Sequence, residues 1–188
     1  MKDPIVKENK VVFGPCRLSY THLLSKHAIE GEGEGKYSTN VIIPKGETKT
    51  VEAIKAAIEA ARKAGIVSKW SGKEPKKLEM PLHDGEERDD EVYANSFYLN
   101  AKSVTKPGVV DKFKNPITDE EEVYSGMWAY ISVTFFAYDK NGNKGVACGL
   151  NNVMKFKDDE RLGGRVSADT DFEGFGGDED DEDDDDKL

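Results

Sequence analysis

Cysteine is scarce: the 188 residues contain two, Cys16 and Cys148. They form neither a Cys-x-x-Cys pair nor any zinc-ligand spacing, so they read as two core thiols of a cytosolic protein. Long apolar runs are also missing. None is long enough to cross a membrane, and the charged Met1–Lys10 has no apolar segment, so neither a signal peptide nor a membrane partner is expected. No nucleophile motif, phosphate-binding glycine loop or catalytic dyad is present. Gly31-Glu32-Gly33-Glu34-Gly35 is glycine-rich, but its two carboxylates would repel phosphate. His22 and His27 lie five apart with Lys26 between them and read as having no acidic partner. His83-Asp84-Gly85-Glu86-Glu87-Arg88-Asp89-Asp90-Glu91 has groups that could hold a hard cation, but its spacing matches no known loop and reads as a solvated charged turn. The expectation is a protein that is not an enzyme, with no cofactor and no metal.

Positive charge is outnumbered as well: the formal net charge is −10. That total hides a split. From Asp169 onward there are twelve acidic residues and one lysine, which puts −11 on residues 169–188 and +1 on residues 1–168. A near-neutral body can still concentrate positive charge locally and attract an anion, so the acidic total does not exclude nucleic acid. The division expected is a folded domain over 1–168 and a disordered acidic tail over 169–188, where Gly, Asp and Glu dominate.

The body alternates strand signals with turns. Residues 11–20 are β-prone, with a bend at Gly14-Pro15. Lys36–Pro44 is a second strand. A helix is predicted over about 48–64: Thr48 or Thr50 caps it, Val51, Ile54, Ile58 and Ala61 share one face, and Gly65 stops it. Ser68–Leu82 is a basic loop containing Trp70. Strands return at Ser96–Val104, Gly126–Asp139 and Lys144–Phe156, the last two joined by an Asn141-Gly142 hairpin turn. Gly163-Gly164 marks the exit from the body. This order fits a mainly β protein, an OB-like barrel with one inserted helix; an open β-sandwich also fits.

The segment 127–138 carries the sharpest pattern. Met127, Ala129, Ile131, Val133, Phe135 and Ala137 form an apolar face. Trp128, Tyr130, Ser132, Thr134, Phe136 and Tyr138 form the other. Exposed rings stack on bases regardless of sequence, worth about 1–3 kcal/mol per base. The same rings could instead cover a second layer of core. Tyr98, Asn100 and Lys102 share one face of their strand. Lys36 and Tyr37 open another. Trp70 lies among Lys69, Lys73, Lys76 and Lys77, and Lys106, Lys112 and Lys114 share a loop. Aromatic and basic residues interleaved in this way suit a groove that tracks a nucleic-acid backbone, although each lysine alone is more often a solvated surface charge. The candidate DNA-binding set is Lys36, Tyr37, Trp70, Lys73, Lys76, Lys77, Tyr98, Lys102, Lys106, Trp128, Tyr130, Phe136, Tyr138 and Lys144.

Several short segments carry a resemblance. They are Arg17-Leu18-Ser19-Tyr20, Lys36-Tyr37-Ser38, Pro81-Leu82-His83-Asp84-Gly85, Lys106-Pro107-Gly108-Val109-Val110-Asp111, Glu122-Val123-Tyr124-Ser125-Gly126, Asn141-Gly142-Asn143-Lys144-Gly145 and Gly149-Leu150-Asn151-Asn152-Val153. Together, from about Val11 to Phe172, they resemble a phage and prophage family similar to the single-stranded DNA-binding proteins of short-tailed coliphages. The resemblance implies an OB fold, sequence-independent binding of single-stranded DNA in the host cytoplasm, and a role in phage replication and recombination. It also implies partner proteins recruited through the acidic tail, here Asp178, Glu179, Asp180, Asp181, Glu182, Asp183, Asp184, Asp185, Asp186 and Leu188. A homodimer is a possible assembly. Tails of this type usually end in an aromatic residue, whereas this one ends in Lys187-Leu188, with Phe172 and Phe175 upstream. Two other classes remain open. One is a phage structural or assembly protein that uses the barrel to bind protein. The other is a metal-dependent nuclease built on 83–91, which would need convergent carboxylates.

Overall fold

In the computed structural model, the residues described are 1–28, 30, 31, 33–164 and 171–175. The acidic run 178–186 and Leu188 lie outside them, as does most of the predicted tail. Eight strands, one α-helix and three single-turn 3-10 helices (Gly85–Glu87, Glu91–Tyr93 and Glu120–Glu122) make up the regular structure among these residues. The strands and the α-helix are β1 (Ile5–Lys7), β2 (Lys10–His27), β3 (Lys36–Pro44), α1 (Thr48–Ser68), β4 (Leu82–Asp84), β5 (Ser96–Ser103), β6 (Gly108–Val110), β7 (Trp128–Lys140) and β8 (Asn143–Lys157).

The strands pair in the order β4-β5-β3-β2-β7-β8-β6, with β1 added on β2. A parallel seam between β5 and β8, through Ala101–Cys148 and Lys102–Gly149, closes the sheet. The closed barrel is therefore β5-β3-β2-β7-β8. The sandwich reading falls away, because this seam leaves no gap between two sheets.

Alternation sets the interior. Val11, Phe13, Cys16 and Leu18 of β2 point inward with Val41 and Ile43 of β3, Leu99 and Ala101 of β5, and Ile131, Val133 and Phe135 of β7. Each fully buried aliphatic or phenyl side chain contributes about 1.5–3 kcal/mol against exposure. Cys16 and Cys148 are buried and free, and burial pushes both thiols well above their usual range. One face of α1, with Val51, Ile54, Ala57, Ile58 and Ala61, joins the same core and packs mainly on β7.

Several local expectations are corrected. The helix runs to Ser68 because Gly65 lies inside it. That glycine faces Ala137 and the Trp70 ring, and a Cβ there would collide with Ala137. It is a packing glycine, not a stop signal. Neither Thr48 nor Thr50 caps the helix: Glu47 holds the cap position without a side-chain bond. The first long strand extends to His27 through register shifts after Phe13 and Ser19. The 106–116 loop contains β6, which pairs in parallel with β8. The Asn141-Gly142 turn is present, with φ of 54° and 83°, the left-handed pair that a tight hairpin needs.

Candidate nucleic-acid interface

The outward faces of β3 and β5 form one surface. Register places Ser38 opposite Lys102, Asn40 opposite Asn100 and Ile42 opposite Tyr98. Lys36 shares this parity at the start of β3. Tyr37 does not: it falls on the other face with Thr39 and Val41, opposite Ser103. Its place in the candidate groove is therefore corrected, because a one-residue step along a strand reverses the face.

An aromatic cluster surrounds Tyr98. His83, its partner on β4, stacks on it at 5.0 Å with 25° between the planes. Tyr93, from the connection 85–95, meets it edge-on at 5.2 Å. Tyr93 is fully buried, and Asn40 Nδ2 donates to its hydroxyl at 2.9 Å. The Arg88 guanidinium lies 4.6 Å from the Tyr93 ring centre, 5.0 Å from that of Tyr98 and 5.3 Å from that of Tyr20. Tyr20, on β2, is 57% exposed.

The charged turn that carries Arg88 is held by its own carboxylates. Asp84 accepts from the Glu86 amide and pairs with Lys45 at 2.7 Å, and the lysine holds its carboxyl below the usual range. Asp90 accepts from the Val92 amide, and Glu86 from that of Asn95. These acids cap local turns and do not converge. Among the described residues, no group of three or more His, Cys, Asp or Glu could hold a metal ion, so the donor set needed by the nuclease reading is not assembled there.

The second surface is the outward face of β7. The parity read from the sequence holds, but several rings already have partners. Trp128 Nε1 donates to Asp159 at 2.7 Å, which holds that carboxyl below its usual range, and Lys157 Nζ lies 5.1 Å from the ring centre. Tyr130 meets Phe156 edge-on, with Lys2 Nζ at 5.4 Å. Tyr138 donates its hydroxyl to Glu79; burial, and then that carboxylate, push the phenol up to about 12. Phe136 is the freest ring, 48% exposed beside Gly149 of β8. Because Gly149 pairs with Lys102, the side-chain-poor stretch of β8 links Phe136 to the β5 face.

Trp70 requires a correction. It is 3% exposed, with its ring against Gly65 and its Nε1 donating to the Tyr138 carbonyl at 3.1 Å. A base could not reach it. Its lysine neighbours are on the surface. Glu79 pairs with the backbone of Lys144 and Val146, which brings the stretch carrying Lys73, Lys76 and Lys77 to the β7–β8 hairpin. Lys144 is half-buried and lies 3.5 Å from Asp139. Lys36, Lys102 and Lys106 lie at the other candidate surface or its edge. The lysines thus form two groups, not one track.

The residues after β8 cross one end of the barrel. Asp159 takes the Trp128 bond, the Glu160 carbonyl accepts from Arg17 Nη2 at 2.8 Å, and the Leu162 amide donates to the Ser125 carbonyl at 2.8 Å. Ser125 Oγ also accepts from the Thr21 amide at 3.0 Å.

Sequence reasoning missed Tyr20, Asn40, His83 and Arg88. Tyr20 and His83 lie in two of the segments that carried the resemblance, which was the available signal. Arg88 had none, since a basic residue within a run of acids reads as neutralised.

A closed five-stranded barrel with a parallel closing seam, one inserted helix, and aromatic and basic side chains on its outer strands is an OB-like barrel. The family described as "Enterobacter phage Enc34, ssDNA-binding protein" matches residues 9–187, and the chain belongs to that family. Putative protein p50 of Acyrthosiphon pisum secondary endosymbiont phage 1 is 33% identical over 175 residues, covering 87% of this chain and 92% of that one. The single-stranded DNA-binding protein from bacteriophage Enc34, solved in complex with ssDNA, superposes with a TM-score of 0.73 at 25% identity, over 87% of this chain and 95% of that one. Gp2.5 of bacteriophage T7, a single-stranded DNA-binding protein, shares the fold with a TM-score of 0.58 at 16% identity, over 90% and 97%.

Proposed function

We propose that this chain binds single-stranded DNA without sequence preference and serves phage DNA replication and recombination. The observation that carries the reading is the outer face of β3 and β5, where Asn100, Lys102 and Lys36 share one side of the sheet and continue across Gly149 to Phe136, with Tyr98 at the far end under the Arg88 cluster. In OB folds this pair of strands is the usual oligonucleotide surface. Rings supply stacking that any base satisfies, and lysines supply the salt-sensitive phosphate term. Family membership and the relative solved with ssDNA support the same reading. Trp128, Tyr130 and Tyr138, with Lys73, Lys76, Lys77, Lys106 and Lys144, are outer contributors that a longer strand would reach.

The chain works in two parts under this reading, a binding body over 1–168 and an acidic tail over 169–188. The tail's eleven-unit negative excess competes with DNA for the basic face and recruits partner proteins once displaced.

A mobility shift with labelled oligo-dT against duplex of equal length tests the first claim. The full chain should retain the single strand at lower protein concentration. Lys102→Ala should weaken binding and make the log–log salt dependence shallower by about 0.7. Phe136→Ala, at the most exposed ring of the β7 face, should cost about 1–3 kcal/mol. Equal retention of duplex and single strand, or folded variants of both residues that bind as the parent does, would overturn it.

A further inference from the structure

Tyr20 has an unusual backbone. Its φ is +47°, in the left-handed region that a bulky non-glycine residue rarely enters. It sits where the β2–β3 register breaks, between Ser19–Asn40 and His22–Ser38. Bulges of this kind re-aim a side chain, and strain kept in a fold often marks a functional position. Here the result is a tyrosine ring that is 57% exposed on β2. The next residue is fixed, because the Thr21 amide is bonded to Ser125 Oγ. The ring is therefore presented on an ordered backbone.

Arg88 is the second unusual feature. Glu86, Glu87, Asp89, Asp90 and Glu91 flank it, yet among the described residues its side chain makes no ion pair or hydrogen bond. Its guanidinium lies instead over Tyr20, Tyr93 and Tyr98. Ring faces hold the cation in place without using its five N–H donors, and those donors suit a phosphate fork. Asp84, Glu86 and Asp90 bond their carboxylates to turn amides, and among the described residues no acid of the run forms an ion pair with Arg88.

We propose that Tyr20 and Arg88 form a one-nucleotide subsite: the Tyr20 ring stacks on a base, and the Arg88 guanidinium takes an adjoining phosphate of the same strand. The subsite rests on the single-stranded DNA reading above and assigns it two residues outside the β3 and β5 strands. Tyr98 lies beneath, with His83 and Arg88 already against its ring, so Tyr20 is the outermost stacking surface of the cluster. Lysine could not replace Arg88, since a compact ammonium has neither the planar fork nor the flat face.

The test uses the full chain with Tyr20→Asn, Arg88→Gln and Arg88→Lys, titrated with oligo-dT at several salt concentrations and melted in parallel. Asparagine tolerates the left-handed region, so Tyr20→Asn should melt at or above the parent's Tm while binding about 5- to 150-fold more weakly. Arg88→Gln should lose affinity and make the log–log salt dependence shallower by about 0.7. Arg88→Lys should keep the parent's salt dependence yet still bind more weakly. Parent-like affinity in both Tyr20→Asn and Arg88→Gln, with oligo-dT bound by the parent, would overturn the subsite and leave the broader reading intact. A lowered Tm with unchanged binding in Tyr20→Asn would make the tyrosine structural and also overturn it. A parent that fails to bind oligo-dT would remove the broader reading, and the subsite with it.

Discussion

Replacing Trp70 should damage the fold without touching the DNA surface. The ring is 3% exposed, lies against Gly65 of α1 and donates to the Tyr138 carbonyl at 3.1 Å. Trp70→Ala leaves a ring-sized void under β7 and removes the bond to the Tyr138 carbonyl, a loss of about 3–5 kcal/mol for a large aromatic in a core. For a chain of this length each kcal/mol moves Tm by about 2–4 °C, so Tm should fall by roughly 6–20 °C. Trp70→Phe keeps most of the volume and loses the N–H bond, at about 1–3 kcal/mol. The assay is a thermal melt by circular dichroism, paired with oligo-dT titration at a temperature where all variants are folded. Both variants should then bind as the parent does. The protein has two tryptophans, so the emission of Trp70→Phe reports Trp128 alone, and any change on adding oligo-dT belongs to the β7 face. A Trp70→Ala protein with the parent's Tm and several-fold weaker binding would refute the core assignment and return the residue to the groove.

Three further outcomes follow from other parts of the molecule. Truncation after Ala168 should tighten binding to single-stranded DNA at low salt, with the gain shrinking as ionic strength rises; equal affinities of the two forms at low salt would remove the competition. Tyr138 has a phenol raised from 10 to about 12, so the stability it contributes is complete below pH 10 and is lost as the pH rises towards 12. Between those values the parent's Tm should fall more steeply than that of Tyr138→Phe, and parallel curves would count against the assignment. Gly85→Ala places a methyl against the carbonyls of Tyr93 and Ser96, which should cost about 1–3 kcal/mol and disturb the turn that carries Arg88; an unchanged Tm would show that the turn yields freely.

What the sequence made legible was local. The β7–β8 hairpin follows from the alternation of 127–138 and the Asn141-Gly142 turn signal, and α1 from the spacing of Val51, Ile54, Ile58 and Ala61. Trp70 was misplaced because its lysine neighbours describe only the surface of the loop. Its burial depends on Tyr138, 68 residues away. Tyr37 was misplaced by a single step of strand register. The Tyr20–Arg88 contact joins two segments that are distant in sequence, and neither segment contains both a ring row and a basic run. Pairing across the barrel created that arrangement, and no window of sequence displays it.

The bonds that Arg17, Trp128 and Ser125 make to Asp159, Glu160 and Leu162 fix an address as well as a covering. Ser125 also holds the Thr21 amide, so everything C-terminal to Leu162 starts beside the strand that presents Tyr20. Under the proposed competition, the point from which the acidic segment departs would matter as well as its charge. Grafting the same acidic sequence ahead of Met1, whose amino group pairs with Glu47 near α1, would preserve the net charge and change that point of departure.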